Sequence, residues 1–358
     1  MNSSNRIYYD VIVSNLNNET VQPPILYFNQ TRSTPYLTNP KDYNMSIVRW
    51  TLDTQSLPIF RPTIKPTTTD ANETIYSITL KYGSSIVEKF IIYEPQNETL
   101  TKPNAPLYRP NNLQDNENGY YDVYTYSYFP YLINKAFQEA FNELNQNVAT
   151  NAPVMTIDTT NNICIINVPV DGYDDDNISI YFNTALGNLF SSFPFKITSL
   201  QQQGTNFKLL TNINGNSTII PFPSYSEEQY DVIQIFQEYS TIQSWNPIVS
   251  ICVVSNTLPI VQNIDGLPAL YYNGKILNGS GNNSNISNLI TDFVADSYKP
   301  NVIYIPSAEY RRLELVGSEP LSNLDIAIFW KDRLGFLNNF RLTAGSSASL
   351  KIMFEKKF

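Results

Sequence analysis

The chain has 358 residues, enough for one large or two ordinary domains with a sizeable core. Charged residues make up only 15%, against roughly 25% in an average soluble domain, while 25 Tyr and abundant Ile and Thr bias the chain towards β structure. A net charge of −9 argues against nucleic acid as a main partner, and the absence of His removes the commonest general base, the usual triads and most zinc sites.

In chain order, residues 6–15 (RIYYDVIVSN), 25–30 and 45–53 predict three strands. Three prolines make 57–72 an extended loop. Residues 74–94 predict a hairpin turning at Tyr82-Gly83-Ser84-Ser85. The Pro- and Asn-rich stretch 95–119 predicts a long exposed excursion. Then YYDVYTYSYF starts as an aromatic strand and changes period at Pro130. Leu132, Ala136, Phe137, Ala140, Phe141 and Leu144 then share a helical face, over about 131–147.

A second hairpin is predicted at 153–169, then an acidic turn at 171–177 and a strand at 178–183. A short helix is predicted at 184–193, capped by Asn183 or Thr184. Strands follow in 195–222 and 245–261, then a flexible Asn/Gly/Ser loop at 273–289. Segments 301–317, 321–332, 339–345 and 347–357 complete a β frame with no fixed-period repeat. Leu324, Ile326, Ile328 and Trp330 form one apolar strand face, and Leu350, Ile352 and Phe354 another. If these two strands join one sheet, we expect the strand of residues 8–13 to close the same core.

Candidates for chemistry are few. Asp171, Asp174, Asp175 and Asp176 could bind Ca²⁺, but their spacing is not that of an EF-hand and a solvated turn accounts for them. The acidic residues of SEEQYD (226–231) could form a glycosidase-like pair with that cluster, a pairing that chance also supplies. Consecutive Arg311 and Arg312 point to opposite strand faces, and one could pair with Glu309 or Glu314. The C-terminal lysines of KIMFEKKF read as a solvated strand end or a contact for an acidic neighbour. Cys164 and Cys252 sit in apolar runs outside any CxxC pair, which suits buried thiols in a reducing compartment. The start has no signal-like apolar core, and no run is long enough to cross a membrane, so we expect the product to stay in the cytosol or in a particle assembled there.

Several segments resemble the minor capsid (penton) proteins of virophages and Polinton-like double-stranded DNA viruses. They are SWNPIVSICVVSNTLPI (244–260), IYIPSAEYRRLELVGSEPLSNLDIAIFWKD (303–332), SSASLKIMFEKKF and a central part around APVMTIDTTNNICIINVP. The resemblance implies a jelly-roll protein that forms homopentamers at the five-fold vertices of an icosahedral shell and contacts the major capsid protein.

The expected fold is therefore all-β, a jelly roll (β-sandwich) with a central insertion or second β domain carrying one or two short helices. Residues 1–130 and 241–358 would supply the jelly roll and 131–240 the insertion. The function expected is structural and non-catalytic, without a cofactor, in a virion assembled in the host cytoplasm. Ile326, Ile328, Trp330, Leu350, Ile352 and Phe354 are the expected packing and assembly residues. The alternative is a carbohydrate- or receptor-binding β-sandwich using the tyrosines of YYDVYTYSYFPY, Tyr126 among them, as stacking platforms. The capsid of a small RNA or single-stranded DNA virus is a further structural alternative; its usual basic N-terminal arm is not seen in the first fifteen residues, which hold only Arg6.

Overall fold

The computed structural model describes residues 5–16, 25–66, 70–96, 119–173, 177–199, 206–211, 217–222, 230–260, 269–272, 275–278, 288–294, 301–304, 311–333, 335 and 337–357. Three strands come first: β1 (Arg6–Ser14), β2 (Tyr27–Thr31) and β3 (Tyr43–Asp53). Next are β4 (Glu73–Tyr82), β5 (Ser85–Ile92), helix α1 (Tyr128–Glu143), β6 (Val154–Asp158), β7 (Ile163–Pro169) and β8 (Ile178–Asn183). A short helix, Thr184–Leu189, leads to β9 (Phe195–Thr198), β10 (Asn206–Leu209), β11 (Ser217–Phe222) and β12 (Tyr230–Phe236). The chain continues with β13 (Ile248–Ser255), β14 (Ala269–Tyr272), β15 (Lys275–Asn278), β16 (Asn288–Phe293) and β17 (Asn301–Tyr304). Last come β18 (Leu313–Glu314), β19 (Asn323–Asp332), β20 (Leu337–Asn339) and β21 (Ser347–Lys356).

Packing divides the chain into two units, Met1–Pro58 with Pro247–Phe358, and Ile59–Asn97 with Pro103–Asn246. The first unit, the frame, is built on two main antiparallel sheets, ordered β1-β21-β3-β17 and β16-β13-β19-β2, beside the small β14-β15 pair. Count its eight main strands along the chain as β1, β2, β3, β13, β16, β17, β19 and β21. The first sheet then runs first, eighth, third, sixth, and the second runs fifth, fourth, seventh, second. That is the order of an eight-stranded jelly roll, two Greek keys folded over one core. In sequence, the other unit is inserted between the third and fourth of these strands.

Alternation explains why these segments are strands. Ile7, Tyr9, Val11 and Val13 of β1 turn inward, while Arg6, Tyr8, Asp10 and Ile12 turn out. The frame core takes Trp50, Leu52, Leu350, Ile352 and Phe354 from one sheet and Ile251, Val253, Ile326, Ile328 and Trp330 from the other. Here the structure corrects the sequence reading: β19 and β21 do not share a sheet but line the same core from opposite sides. An apolar alternation says which side of a strand is buried, not which sheet the strand joins. Strand β1 contributes Val11 to the same core, as expected, and it pairs with β21 from Arg6↔Glu355 to Ser14↔Ser347.

The inserted unit contains the sheets β5-β4-β8-β10-β9 and β11-β12-β7-β6, with α1 packed against β4, β5 and β6. Helix α1 buries Phe129, Leu132, Ile133, Ala136, Phe137 and Ala140, the face that the helical period marked. Its start at Tyr128 precedes Pro130, which the first turn tolerates. The β4–β5 hairpin turns on Gly83-Ser84, with Gly83 at φ +56°. Asn183 caps the short helix, its Oδ1 accepting from the Leu186 N–H at 3.0 Å.

Three expectations change. The first unit boundary falls at Pro58 rather than 130, and the second at Asn246 rather than 240, because the β4–β5 hairpin packs with α1 and β8. YYDVYTYS is not a strand; only Val123 bridges, to Phe60. Part of the loop expected at 273–289 is strand β15, paired antiparallel with β14. The excursion at 97–118 lies outside the described residues.

Gly187 lies in the short helix against Phe207 of β10, where an added Cβ would sit 2.3 Å from the ring. Helix propensity favours Ala over Gly by about 1 kcal/mol, but overpacking a tight site costs about 1–3 kcal/mol. Gly187→Ala is therefore expected to lower the thermal unfolding midpoint, and a raised midpoint would contradict this packing.

Candidate assembly surfaces

The six expected packing and assembly residues lie inside the frame. Ile326, Ile328, Trp330, Leu350, Ile352 and Phe354 are all buried in one core cluster. Their side chains face inward.

Asp174, Asp175 and Asp176 lie outside the described residues, as do Glu227, Glu228 and Glu309. The structure therefore places neither the proposed Ca²⁺ cluster nor the proposed carboxylate pair. No helix among the described residues is long and apolar enough to cross a membrane. Cys164 and Cys252 are buried free thiols. Burial pushes the Cys164 thiol up to about 12, so it stays protonated at neutral pH.

The tyrosine-rich segment is tied into the inserted unit. Tyr93 Oη donates to the Tyr120 carbonyl at 2.7 Å, and Tyr121 Oη to the Ala71 carbonyl at 3.2 Å. Arg61 and Asp122 form a buried ion pair at 2.7 Å, which joins the proline-rich loop to this segment. Tyr126, the expected stacking platform, is half-buried against the core. Tyrosine's β preference yields here to packing and hydroxyl partners.

One buried carboxylate in the frame went unmarked in the sequence. Asp325, 3% exposed, sits on β19 opposite the turn that leaves β13. Ser255 Oγ donates to it at 2.6 Å and Thr257 Oγ1 at 2.7 Å. The Asn256 and Thr257 N–H groups each donate at 2.9 Å. Burial pushes this carboxyl's pKa up, but those hydrogen bonds outweigh it and hold the pKa below the ordinary value. Asp325 thus fixes the path from β13 through Leu258 to Ile260, which bridges Leu315. The only sequence signal is the turn-forming Ser255-Asn256-Thr257, nearly seventy residues away.

The outward face of the β1–β21–β3 sheet is a charged lattice. Glu355 accepts from Arg6 at 2.7 Å and pairs with Arg312 at 2.9 Å. Asp10 lies 3.8 Å from Arg49 and 3.9 Å from Lys351, all three in one row across the sheet. These contacts revise the reading of the paired arginines. Arg312 reaches Glu355, while Arg311 bonds Thr291 Oγ1 at 2.6 Å and the Asp292 carbonyl. Glu314 instead lies 3.9 Å from Lys357.

Eight-stranded jelly rolls build viral capsids, lectins and cupins. The strand order therefore defines the class of the frame, and comparison with known proteins narrows it to a capsid protein. The chain belongs to the Sputnik minor capsid protein V18/19 family, whose family model matches residues 7–356. It is a minor capsid protein, a structural component of a virus particle. It is similar to protein V18 of Sputnik virophage, 34% identical over 154 residues, 41% of this chain and 89% of that protein. It is also similar to structural protein V19 of the same virophage, 29% identical over 136 residues, 38% of this chain and 59% of that protein. A chain in the 3.5 Å cryo-EM structure of the Sputnik virophage superposes with a TM-score of 0.80 and 25% identity, covering 99% of each chain. The crystal structure of the mavirus penton protein gives a TM-score of 0.65 over 98% of this chain and 99% of that one. At 14% identity, that second likeness concerns the fold alone.

Proposed function

We propose that this chain is the penton protein of its particle. It forms homopentamers at the five-fold vertices of an icosahedral shell, contacts the major capsid protein there and catalyses no reaction. The observation that carries this reading is the complete jelly roll of a minor capsid family, with its whole inserted unit placed between two frame strands. The penton protein of mavirus has the same fold. Ile326, Ile328, Trp330, Leu350, Ile352 and Phe354 serve assembly from inside, by keeping the two sheets in a fixed relation. Buried free thiols suit assembly in a reducing host cytoplasm.

Purified protein in light scattering is expected to show a species five times the mass of one chain. A strictly monomeric protein that is also absent from purified particles would overturn the reading.

A further inference from the structure

We infer that the outward corner formed by β9 and β10 in the inserted unit is a binding site for an acidic sugar, one that carries a single carboxylate or sulfate among neutral hydroxyls.

Strand β9 is the edge of the sheet β5-β4-β8-β10-β9. Phe207 and Leu209 of β10 pack into the core, so Asn206 and Lys208 turn outward. The register sets Asn206 opposite Thr198 and Lys208 opposite Lys196. Four side chains thus mark the corners of a small patch, about 5 Å across the strands and about 7 Å along them. Lys196 is exposed and the other three are half-buried. Among the described residues, the Lys196 ammonium, the Asn206 amide and the Thr198 hydroxyl have no hydrogen-bond or ionic partner.

The charge of this corner opposes that of its surroundings. Residues 59–246 hold 9 Lys and Arg against 19 Asp and Glu, a net of −10. Yet from Asn177 to Ser226 the chain contains no Asp or Glu, and its only charges are Lys196 and Lys208. The carboxylate of the same cross-strand row is Glu88 of β5, which accepts from Ser77 at 2.6 Å. It lies three strands, about 14 Å, from Lys208. Like charges directly opposite destabilise a sheet. One Lys would protect the β9 edge from unwanted pairing, but a second Lys facing it adds repulsion with no structural return. An anion held between the two ammonium groups gives the pair a purpose.

The net charge selects among anions. A unit at −10 repels an extended polyanion such as nucleic acid. A single acidic group meets no such barrier. The Asn206 amide and the Thr198 hydroxyl supply the donors and acceptors that the hydroxyls of a sugar need. A planar carboxylate on a protein would be matched better by the fork of Arg than by Lys.

The test is binding of the full chain to an array of sialylated, uronate-bearing and singly sulfated oligosaccharides beside their neutral parents. Wild type is expected to hold acidic sugars and to release them as salt rises. Lys196→Glu and Lys196→Gln are expected to bind them about tenfold or more weakly. Both should unfold at a midpoint no lower than wild type, since each removes the like-charge pair. Lys41→Glu, the same charge reversal placed in the frame, should leave binding unchanged. Acidic sugars held no better than their neutral parents, or held equally by the Lys196 variants, would overturn the inference. Tighter binding of single-stranded DNA at the same salt would make the ligand a polyanion and overturn it too. Equal weakening by Lys41→Glu would make net charge the cause, and a lowered midpoint for Lys196→Gln would make the lysine a structural group; either result counts against the site. None of these outcomes bears on the pentamer, which is measured separately.

Discussion

Deletion of residues 347–358 is expected to leave an insoluble or unfolded chain that forms no rings. The segment contains β21, which lies between β1 and β3 and pairs with both. Its loss removes the strand that β1 pairs with and exposes the edge of β3, a template for aggregation. It also removes the buried side chains of Leu350, Ile352, Met353 and Phe354. At about 1.5–3 kcal/mol each, four such side chains amount to about 6–12 kcal/mol, comparable with the roughly 5–15 kcal/mol that stabilises a whole domain. Shortening the Asn/Gly/Ser segment between β15 and β16 should leave folding intact, since loop closure changes by only about 0.6 kcal/mol per doubling of length. A truncated chain that is soluble, cooperatively folded and assembles normally would contradict this placement of β21.

Asp325→Ala is expected to destabilise the frame by about 3–5 kcal/mol, because four donors converging on a buried carboxylate lose their acceptor together. Asp325→Asn should lose less, about 2 kcal/mol, since its carbonyl still accepts while its amide faces donors. Urea unfolding monitored by Trp fluorescence measures both. The same carboxylate makes the frame acid-sensitive. Its folded pKa lies below its unfolded value, so its contribution is complete above the ordinary Asp pKa of about 4. That contribution is lost as pH falls through the lowered folded value. The stability gap between wild type and Asp325→Asn should therefore narrow in acid. A gap that widens there would reverse the sign of the coupling.

The strands of the frame could be read because each hides one face. The alternation in RIYYDVIVS, DIAIFW and ASLKIMF marks a core face; β1 follows it throughout, while β19 and β21 also bury residues of the other face, Asp325, Ala327, Met353 and Glu355. Helix α1 was equally plain from its period. Sheet membership was not, because β19 and β21 show the same alternation whether they are neighbours or face each other across a core. The break after Pro58 was also hidden: β4 and β5 have the local pattern of frame strands, and only their packing on α1 and β8 assigns them to the inserted unit. Asp325 reads in sequence as an outward polar position of a strand. Its burial depends on a turn brought from far along the chain, a pairing with no local signature. The charged sheet face was hidden for the same reason, since Arg6, Asp10, Arg49, Lys351 and Glu355 meet only once the register is set.

Reconstruction of purified particles that contain this protein, with icosahedral symmetry applied, tests the central claim most directly. Density at the five-fold vertices should fit five copies of the jelly roll, each with its inserted unit, touching the major capsid protein around them. Vertices filled by another protein, with this chain elsewhere in the particle or missing from it, would contradict the account.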